Sequence, residues 1–266
     1  MSSIVRPTSS QMTRRLLVLA AAAFAVVIAY AQMATGWGQT PEEFSADSDA
    51  TLRVAGYAFS IWGLIYLGLL VYAVRQVLPQ TGESRLIHRL GWPSVAALLG
   101  IGWWIVASAF DWEWATVVLI FGSLLALLLP LVAEAGTIRA LDRSDRDRWM
   151  VVWPLSLLAG WLTVASPVNL LTILTGNGSL PDSPPAEVWA LIAVVLVAAV
   201  ALGVTARIRT IAYPLPISWG LLGVFVAEQE RGRELVAYGA LTAAVAVLVG
   251  AVVLTFRLRR GVERAT

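Results

Sequence analysis

Eight long apolar segments constrain this chain more than any other feature of its sequence. They lie at about 16–35, 54–76, 91–110, 115–136, 149–174, 187–206, 210–227 and 235–256. Each is close to the ~20 residues that a helix needs to cross a hydrocarbon layer of ~30 Å. Because the backbone in lipid must satisfy its own hydrogen bonds, these segments predict an all-α, polytopic membrane helix bundle with eight transmembrane helices.

The composition also excludes several kinds of site. Hydrophobic residues make up 58% of the chain, mean hydropathy is +0.76, and only 14% of residues are charged, against about 25% in a soluble domain. The absence of cysteine rules out disulfides, thiolate metal sites and cysteine nucleophiles. A single histidine, His88, cannot build a transition-metal site of the usual ligand count, so neither a metal nor a cofactor is expected.

The distribution of arginines predicts the orientation in the membrane. All 19 basic residues are arginines, and with eight helices only Arg53, Arg231 and Arg233 fall on one side, leaving sixteen on the other. Positive residues concentrate in cytoplasmic loops, which places both termini in the cytoplasm. We therefore expect an integral protein of a bacterial cytoplasmic membrane with membrane lipids as partners. The arginines form no single patch, which argues against nucleic acid as a partner.

The first apolar segment also fits a competing interpretation. Arg14 and Arg15, the following apolar run and the small residues Ala29 and Ala31 resemble a signal peptide with a cleavage site before Gln32. The apolar run continues past Ala31 through Met33 and Ala34, which favours a retained helix.

The last three helices differ from the first five. Helices six to eight contain fewer aromatic residues, so we predict a five-helix core at 1–178 and a three-helix extension at 179–266. Pro214 and Pro216 interrupt the seventh segment, as in the broken helices that line transport paths. Small residues spaced four apart along the eighth helix, from Gly239 to Gly250, suit either packing within the bundle or a homodimer contact.

The spans lack the groups that membrane enzymes and pumps require. No span carries an Asp, Glu, Lys or Arg near its centre, whereas proton relays and catalytic dyads depend on such charges. Serine is nowhere paired with histidine in a span, so a hydrolase would lack its base. We expect no catalytic residues and no enzyme.

Aromatic residues are what the spans do contain. Counting from the predicted helix ends, Tyr57, Trp62, Trp103 and Trp104 share the outer half of the membrane with Asn169, while Trp161 is at mid-depth. The outer loop 36–53 is long enough to fold over them. The Asn169 side chain, two residues after Pro167, either contacts a ligand or forms a hydrogen bond between helices.

Three motifs carry a family resemblance. They resemble motifs of the TspO/MBR family, the tryptophan-rich sensory or translocator proteins. The segment Trp62-Gly-Leu-Ile-Tyr66 is similar to the family's second helix, and Gly102-Trp-Trp104 is similar to its third. The spacing Trp-x-x-x-Ala-x-x-x-Asn of Trp161, Ala165 and Asn169 is similar to the fifth. The resemblance covers about residues 15–175 and includes the long first loop. Ser60 stands where the family has a proline, the third-helix asparagine is replaced by an apolar residue, and three further helices follow.

The resemblance implies a pocket for a planar hydrophobic ligand, with porphyrins and other tetrapyrroles as the first expectation. Ligand-binding residues would be Tyr57, Trp62, Tyr66, Trp103, Trp104, Trp161, Ala165 and Asn169. The aromatic faces would stack on the ring system, and Asn169 would bind a polar substituent. The alternatives are a carrier or flippase for a neutral amphiphile and a structural membrane protein without a ligand.

Overall fold

The computed structural model describes residues 8–46, 51–78 and 84–257, and within these ranges the chain is helical with no strand. The α-helices are Ser9–Thr35 (α1), Pro41–Ala46 (α2), Ile61–Val77 (α3), Arg85–Ala109 (α4), Glu113–Ala133 (α5), Ala135–Ala140 (α6), Trp153–Gly176 (α7), Ala186–Ile208 (α8), Pro214–Glu230 (α9) and Glu234–Val252 (α10). A 3-10 turn at Gly56–Ser60 precedes α3, and π-helical turns at Arg148–Val152 and Val253–Arg257 precede α7 and follow α10. The all-α prediction is confirmed.

Within residues 8–46, 51–78 and 84–257, seven helical segments are long and apolar enough to cross a membrane. They are Ser9–Thr35, Gly56–Val77, Arg85–Ala109, Glu113–Ala133, Arg148–Gly176, Ala186–Ile208 and Glu234–Phe256. The remaining predicted span corresponds to α9, which has 17 residues and ends in a segment that carries Glu228 and Glu230. The bundle is therefore polytopic, and the crossing by α9 stays a prediction, as does the cytoplasmic location of the termini, whose residues 1–7 and 258–266 lie outside the described ranges.

The two prolines of the seventh apolar segment do not interrupt a helix. Pro214 and Pro216 occupy the first turn of α9, which then continues to Glu230. Proline is well tolerated there because the first turn leaves its backbone N–H groups without intrahelical partners. The prediction of a broken helix was wrong, and the carrier hypothesis loses the feature on which it rested.

The central helix of the bundle is α7. It contacts α3, α5, α8 and α9. In the most apolar stretch of the span Arg148–Gly176, 78% of the residues are buried, against 28–61% in the other candidate spans. The helix α4 packs between α1 and α5. A cavity lined by α7 is therefore shielded from lipid by the surrounding helices.

The first helix is defined at both ends by local interactions. Thr8 and Gln11 exchange hydrogen bonds in a capping box at its start. Gly36 ends it in the left-handed conformation with φ 65°, which glycine adopts without strain. The helix passes through Ala31 without a break, and Gln32 is buried, so the residues proposed to flank a cleavage site lie inside one packed helix.

The C-terminal helices dock on the wall of the five-helix core. A side chain at Gly160 of α7 would collide with the carbonyl oxygen of Tyr213 at the start of α9, and Gly223 of α9 lies against Val54 and Ala58. The Trp219 indole N–H donates to the Ala58 carbonyl oxygen at 2.9 Å. The predicted boundary at 178/179 falls in the loop between α7 and α8, and the division into two domains stays a prediction.

The small-residue surface of α10 packs within the chain. A side chain at Gly239 would meet Leu191 of α8, and one at Gly250 would meet Leu202 of the same helix. Part of this surface is therefore covered by α8, as expected for packing within the bundle, and a homodimer stays a prediction.

Candidate functional site

A narrow apolar cavity lies between α2, α3, α4, α5 and α7. It is lined by Pro41, Phe44, Ser45, Val54, Phe59, Trp62, Ile101, Trp104, Ile120, Trp161, Leu162, Val164, Ala165, Val168, Asn169 and Thr172. Its free volume, measured for the centres of water-sized spheres, is about 40 Å³. This is room for a few water molecules. The lining residues carry no ionisable side chain, so the cavity offers stacking surface and neutral hydrogen-bonding groups.

The first outer loop closes one end of this cavity. Phe44 of α2 is 3% exposed and meets the Trp104 ring edge-on, with centroids 5.9 Å apart. The Gln32 amide of α1 donates to the carbonyl oxygens of Trp37 and Gln39, both at 3.2 Å. These contacts hold α2 over the cavity, as expected for a loop that folds over the bundle; residues 47–50 of that loop lie outside the described ranges.

The short helix α2 is stabilised by its own capping box. The Thr40 backbone N–H donates to Glu43 Oε2 at 2.7 Å, and the Glu43 backbone N–H donates to Thr40 Oγ1 at 3.1 Å. Hydrogen bonding by the Thr40 backbone, and then by its side chain, lowers the pKa of Glu43. Desolvation, and then the Glu43 charge, raise the pKa of Glu42, which borders the outer face of Trp62.

Asn169 joins three helices by neutral hydrogen bonds. The Trp104 indole N–H donates to Asn169 Oδ1 at 2.8 Å, and Asn169 Nδ2 donates to Thr116 Oγ1 at 2.9 Å. The network therefore links α4, α5 and α7 at the cavity wall. Of the two interpretations of Asn169, the interhelical hydrogen bond is present, and the side chain also lines the cavity with one N–H and one acceptor position to spare.

An aromatic cluster forms the opposite wall. Trp62 stacks on Tyr66 with ring centroids 5.1 Å apart and meets Trp161 edge-on at 6.3 Å. Phe59 also meets Trp161 edge-on, at 5.9 Å. The indole N–H groups of Trp62 and Trp161 have no hydrogen-bond acceptor in the described part of the chain. Both rings therefore keep a donor that a ligand can use.

A larger groove lies on the other side of Trp62, between α1 and α3. Its lining is Ala29, Tyr30, Met33, Glu42, Gly56, Tyr57, Phe59, Ser60, Trp62, Gly63 and Tyr66, and the same water-sized sphere can move through about 330 Å³. A third opening of about 100 Å³ lies beside Gln32, Thr40 and Ile105. Phe59 and Trp62 line the cavity, the groove and the third opening, so these two rings separate the three spaces.

The structure brings together most of the residues predicted from the sequence. Trp62, Trp104, Trp161, Ala165 and Asn169 line the cavity. Tyr66 lines the groove and the third opening. Tyr57 lines only the groove and lies edge-on to Trp219 of α9.

Trp103 is the exception among the predicted residues. It is 50% exposed and packs on Phe24 of α1, outside the linings of the cavity and the groove. Successive residues on a helix point about 100° apart, so Trp103 and Trp104 cannot both face inward.

The motifs did not identify Phe44, Phe59 and Thr116. Phe44 is the one large apolar side chain of the otherwise polar segment 39–46, which was a usable signal. Phe59 lay within the aromatic segment before α3. Nothing in the sequence distinguished Thr116 from the other hydroxyl residues, because its role depends on how α5 is rotated toward Asn169.

Comparison with protein families gives one match over most of the chain. The model described as TSPO-like protein matches residues 14–253. The match extends beyond residues 15–175, which carried the sequence motifs, and includes the C-terminal helices. Searches of curated proteins and of solved structures found no match.

Proposed function

The chain belongs to the TSPO-like protein family, and we propose that it is a membrane sensory protein that binds a planar hydrophobic ligand of the tetrapyrrole class. The observation that carries this proposal is the shared aromatic wall: Phe59 and Trp62 border both the cavity and the groove. Large aromatic faces with free indole N–H groups suit a flat apolar ring that carries acceptor substituents.

The size of the cavity determines how such a ligand would bind. The cavity's free volume of about 40 Å³ is too small for a tetrapyrrole, whereas the adjoining groove has a free volume of about 330 Å³. We propose that Trp62 and Phe59 rotate to join the two spaces. The ring would then lie between Tyr66 and Trp161, with a polar substituent directed toward Asn169.

Quenching of tryptophan fluorescence by protoporphyrin tests this site. Removing one stacking partner costs about 1 kcal/mol, or about fivefold in affinity, so Trp62→Ala and Trp161→Ala should each weaken the affinity measured by saturable quenching by about that factor. Trp103→Ala is the matched control because it removes a ring from the lipid-facing side of α4. Asn169→Ala should also weaken binding.

Equal affinity for protoporphyrin in the wild type and in all three cavity variants would overturn the site. Absence of saturable quenching in the wild type would favour a structural protein without a ligand. We propose binding without catalysis, so protoporphyrin recovered from the complex should be chemically unchanged. A modified porphyrin after incubation in the dark would contradict this.

We propose that the chain crosses a bacterial cytoplasmic membrane eight times, with both termini in the cytoplasm. The arginine distribution supports this orientation, and α9 would supply the additional crossing. Because the chain has no cysteine, single cysteines can be labelled with an impermeant maleimide. In intact cells Ser179→Cys and Glu230→Cys should react, whereas Ser144→Cys should react only after permeabilisation. Protection of Glu230→Cys in intact cells would mean that α9 does not cross.

A further inference from the structure

Two adjacent arginines are buried near the start of the first helix. Arg14 is 3% exposed and Arg15 is 1% exposed. The helix α1 packs against α3 and α4, and Gly91 of α4 leaves the space that the Arg14 side chain fills. Buried arginines are rare and need compensation, because removing a charge from water is costly.

The described residues supply little of that compensation. Arg14 Nη1 donates to His88 Nδ1 at 2.9 Å, a neutral acceptor. Arg14 Nε, together with Arg15 Nε and Nη2, is buried and has no hydrogen-bond partner in the described part of the chain. Arg15 is in addition repelled by the charges of Arg14 and Arg75.

Asp147, the buried carboxylate beside the neighbouring Arg75, is already engaged. Arg75 Nη2 lies 2.7 Å from Asp147 Oδ1, and the Ser84 hydroxyl also donates to Asp147. Glu134, another buried acid among the described residues of this end, lies against Arg85 and Arg89. The cluster of Arg14, Arg15, Arg75 and Asp147 thus carries three positive charges and one negative charge.

We propose that Arg14 and Arg15 bind a phosphate group supplied from outside the chain. Guanidinium groups present fork-shaped sets of donors that match phosphate oxygens, and the unpartnered N–H groups of Arg15 provide such a set. The arginines lie just before the apolar run that begins at Leu16, which on the proposed topology is the depth of lipid headgroups.

An anionic phospholipid and free phosphate share this chemistry. The exposed side chains of Met12 and Leu19 lie three residues before and four residues after Arg15, on its side of α1. Acyl chains can pack there, and the headgroup phosphate would reach the 1% exposed Arg15 side chain through a change of its rotamer. This favours a phospholipid, and the experiment separates the two sources.

The full-length protein in neutral detergent provides the test, with tryptophan-detected thermal unfolding as the readout. Phosphatidylglycerol should raise the melting temperature by about 3 °C or more, whereas diacylglycerol with the same acyl chains should not. Equal stabilisation by inorganic phosphate would identify free phosphate as the source. If neither phosphate compound stabilises the wild type, the proposal is overturned.

The variants locate the site. Arg15→Met should abolish the phosphatidylglycerol shift, while the exposed Arg143→Met should retain it. Arg14→Gln, which keeps a hydrogen-bonding side chain, should reduce the shift and serves as the test if Arg15→Met does not fold. Native mass spectrometry should show at least tenfold fewer phosphatidylglycerol adducts on these variants than on the wild type. Unchanged shifts and adducts in both would assign the lipid to another surface. The porphyrin experiment does not involve these residues, so either proposal can fail alone.

Discussion

On the proposed topology, the outer half and the inner end of the bundle both bury polar side chains, but among the described residues they leave different groups without a hydrogen-bond partner. In the outer half these include neutral hydroxyls and one carboxylate oxygen (Ser45 Oγ, Thr172 Oγ1 and Glu228 Oε2), whereas at the inner end they include guanidinium N–H groups of Arg14 and Arg15. In the outer half, Asn169 is bonded to Trp104 and Thr116, and the buried Glu228 carboxylate accepts the Arg53 backbone N–H at 2.8 Å and Arg231 Nη1 at 2.9 Å. At the inner end, Arg15 is equally buried and has unpartnered N–H groups.

This difference indicates what each region can recognise. Where the buried charges are paired within the chain, a ligand is selected mainly by shape and apolar surface, as the aromatic wall around Trp62 suggests. Where charge is left uncompensated, a ligand is selected by its opposite charge. The predictions below test whether Asn169 and Glu228 are indeed paired and Arg15 is not.

The largest effect is expected at Glu228. Its removal takes away the buried carboxylate that pairs with Arg231 and that lies 4.0 Å from Arg233 Nε. Breaking such a pair costs about 3 kcal/mol. Glu228→Ala should lower the thermal stability in detergent accordingly, and should loosen α9 from residues 53–59. The exposed Glu230→Ala is the control, and equal stability of the two variants would refute the pairing.

A smaller loss is expected at Asn169. Asn169→Ala leaves the Trp104 indole N–H without its acceptor, and we expect a loss of about 1 to 2 kcal/mol. Thermal unfolding of Asn169→Ala and of the double variant with Trp104→Phe measures the coupling. Because the double variant removes the donor as well, its loss should be less than the sum of the two single losses. Strict additivity would mean that the hydrogen bond contributes nothing.

The sequence predicted the helices well because each apolar run must form one in lipid, and the runs are long and separated by polar loops. It placed Trp104 and Asn169 at a similar level of the bundle but did not predict their contact, since level follows from counting along a helix whereas contact depends on rotation about its axis. The same limit explains Trp103, whose rotation on α4 turns it away from the cavity. It also explains why the burial of Arg14 and Arg15 was not predicted. In the sequence they are ordinary charges at a helix end, and only the packing of α4 against α1 shows that they are buried.

The third prediction is that a substitution leaves the stability unchanged or raises it, whereas the first two substitutions lower it. Because Arg15 has unpartnered N–H groups and is repelled by Arg14 and Arg75, Arg15→Met should leave stability unchanged or raise it by about 1 kcal/mol in detergent without phosphate compounds. Arg75→Met, in contrast, should destabilise the protein because it leaves the Asp147 carboxylate buried without its partner. If Arg15→Met costs as much as Arg75→Met, the arginines of the inner end are compensated within the chain and the contrast with the outer half fails.

The smallest effect is expected at Glu134, where the inner end does pair its charges. Hydrogen bonding from Arg85 is the main cause that lowers the pKa of Glu134. A pKa that is lower in the folded state than in the unfolded state means that the charged form of Glu134 stabilises the fold. This stabilisation is fully present above the unfolded-state pKa of about 4.3, and it is lost as the pH falls through the folded-state pKa. Because the Arg85 side chain is 64% exposed, solvent screens the pair, and Glu134→Gln should lower the melting temperature by only about 1 to 2 °C at pH 7. The difference from the wild type should shrink as the pH falls below the unfolded value and through the lowered folded pKa of Glu134. A difference that stays constant from pH 7 to pH 3 would show that the Glu134 charge contributes nothing, and that even the paired acid of the inner end does not offset its arginines.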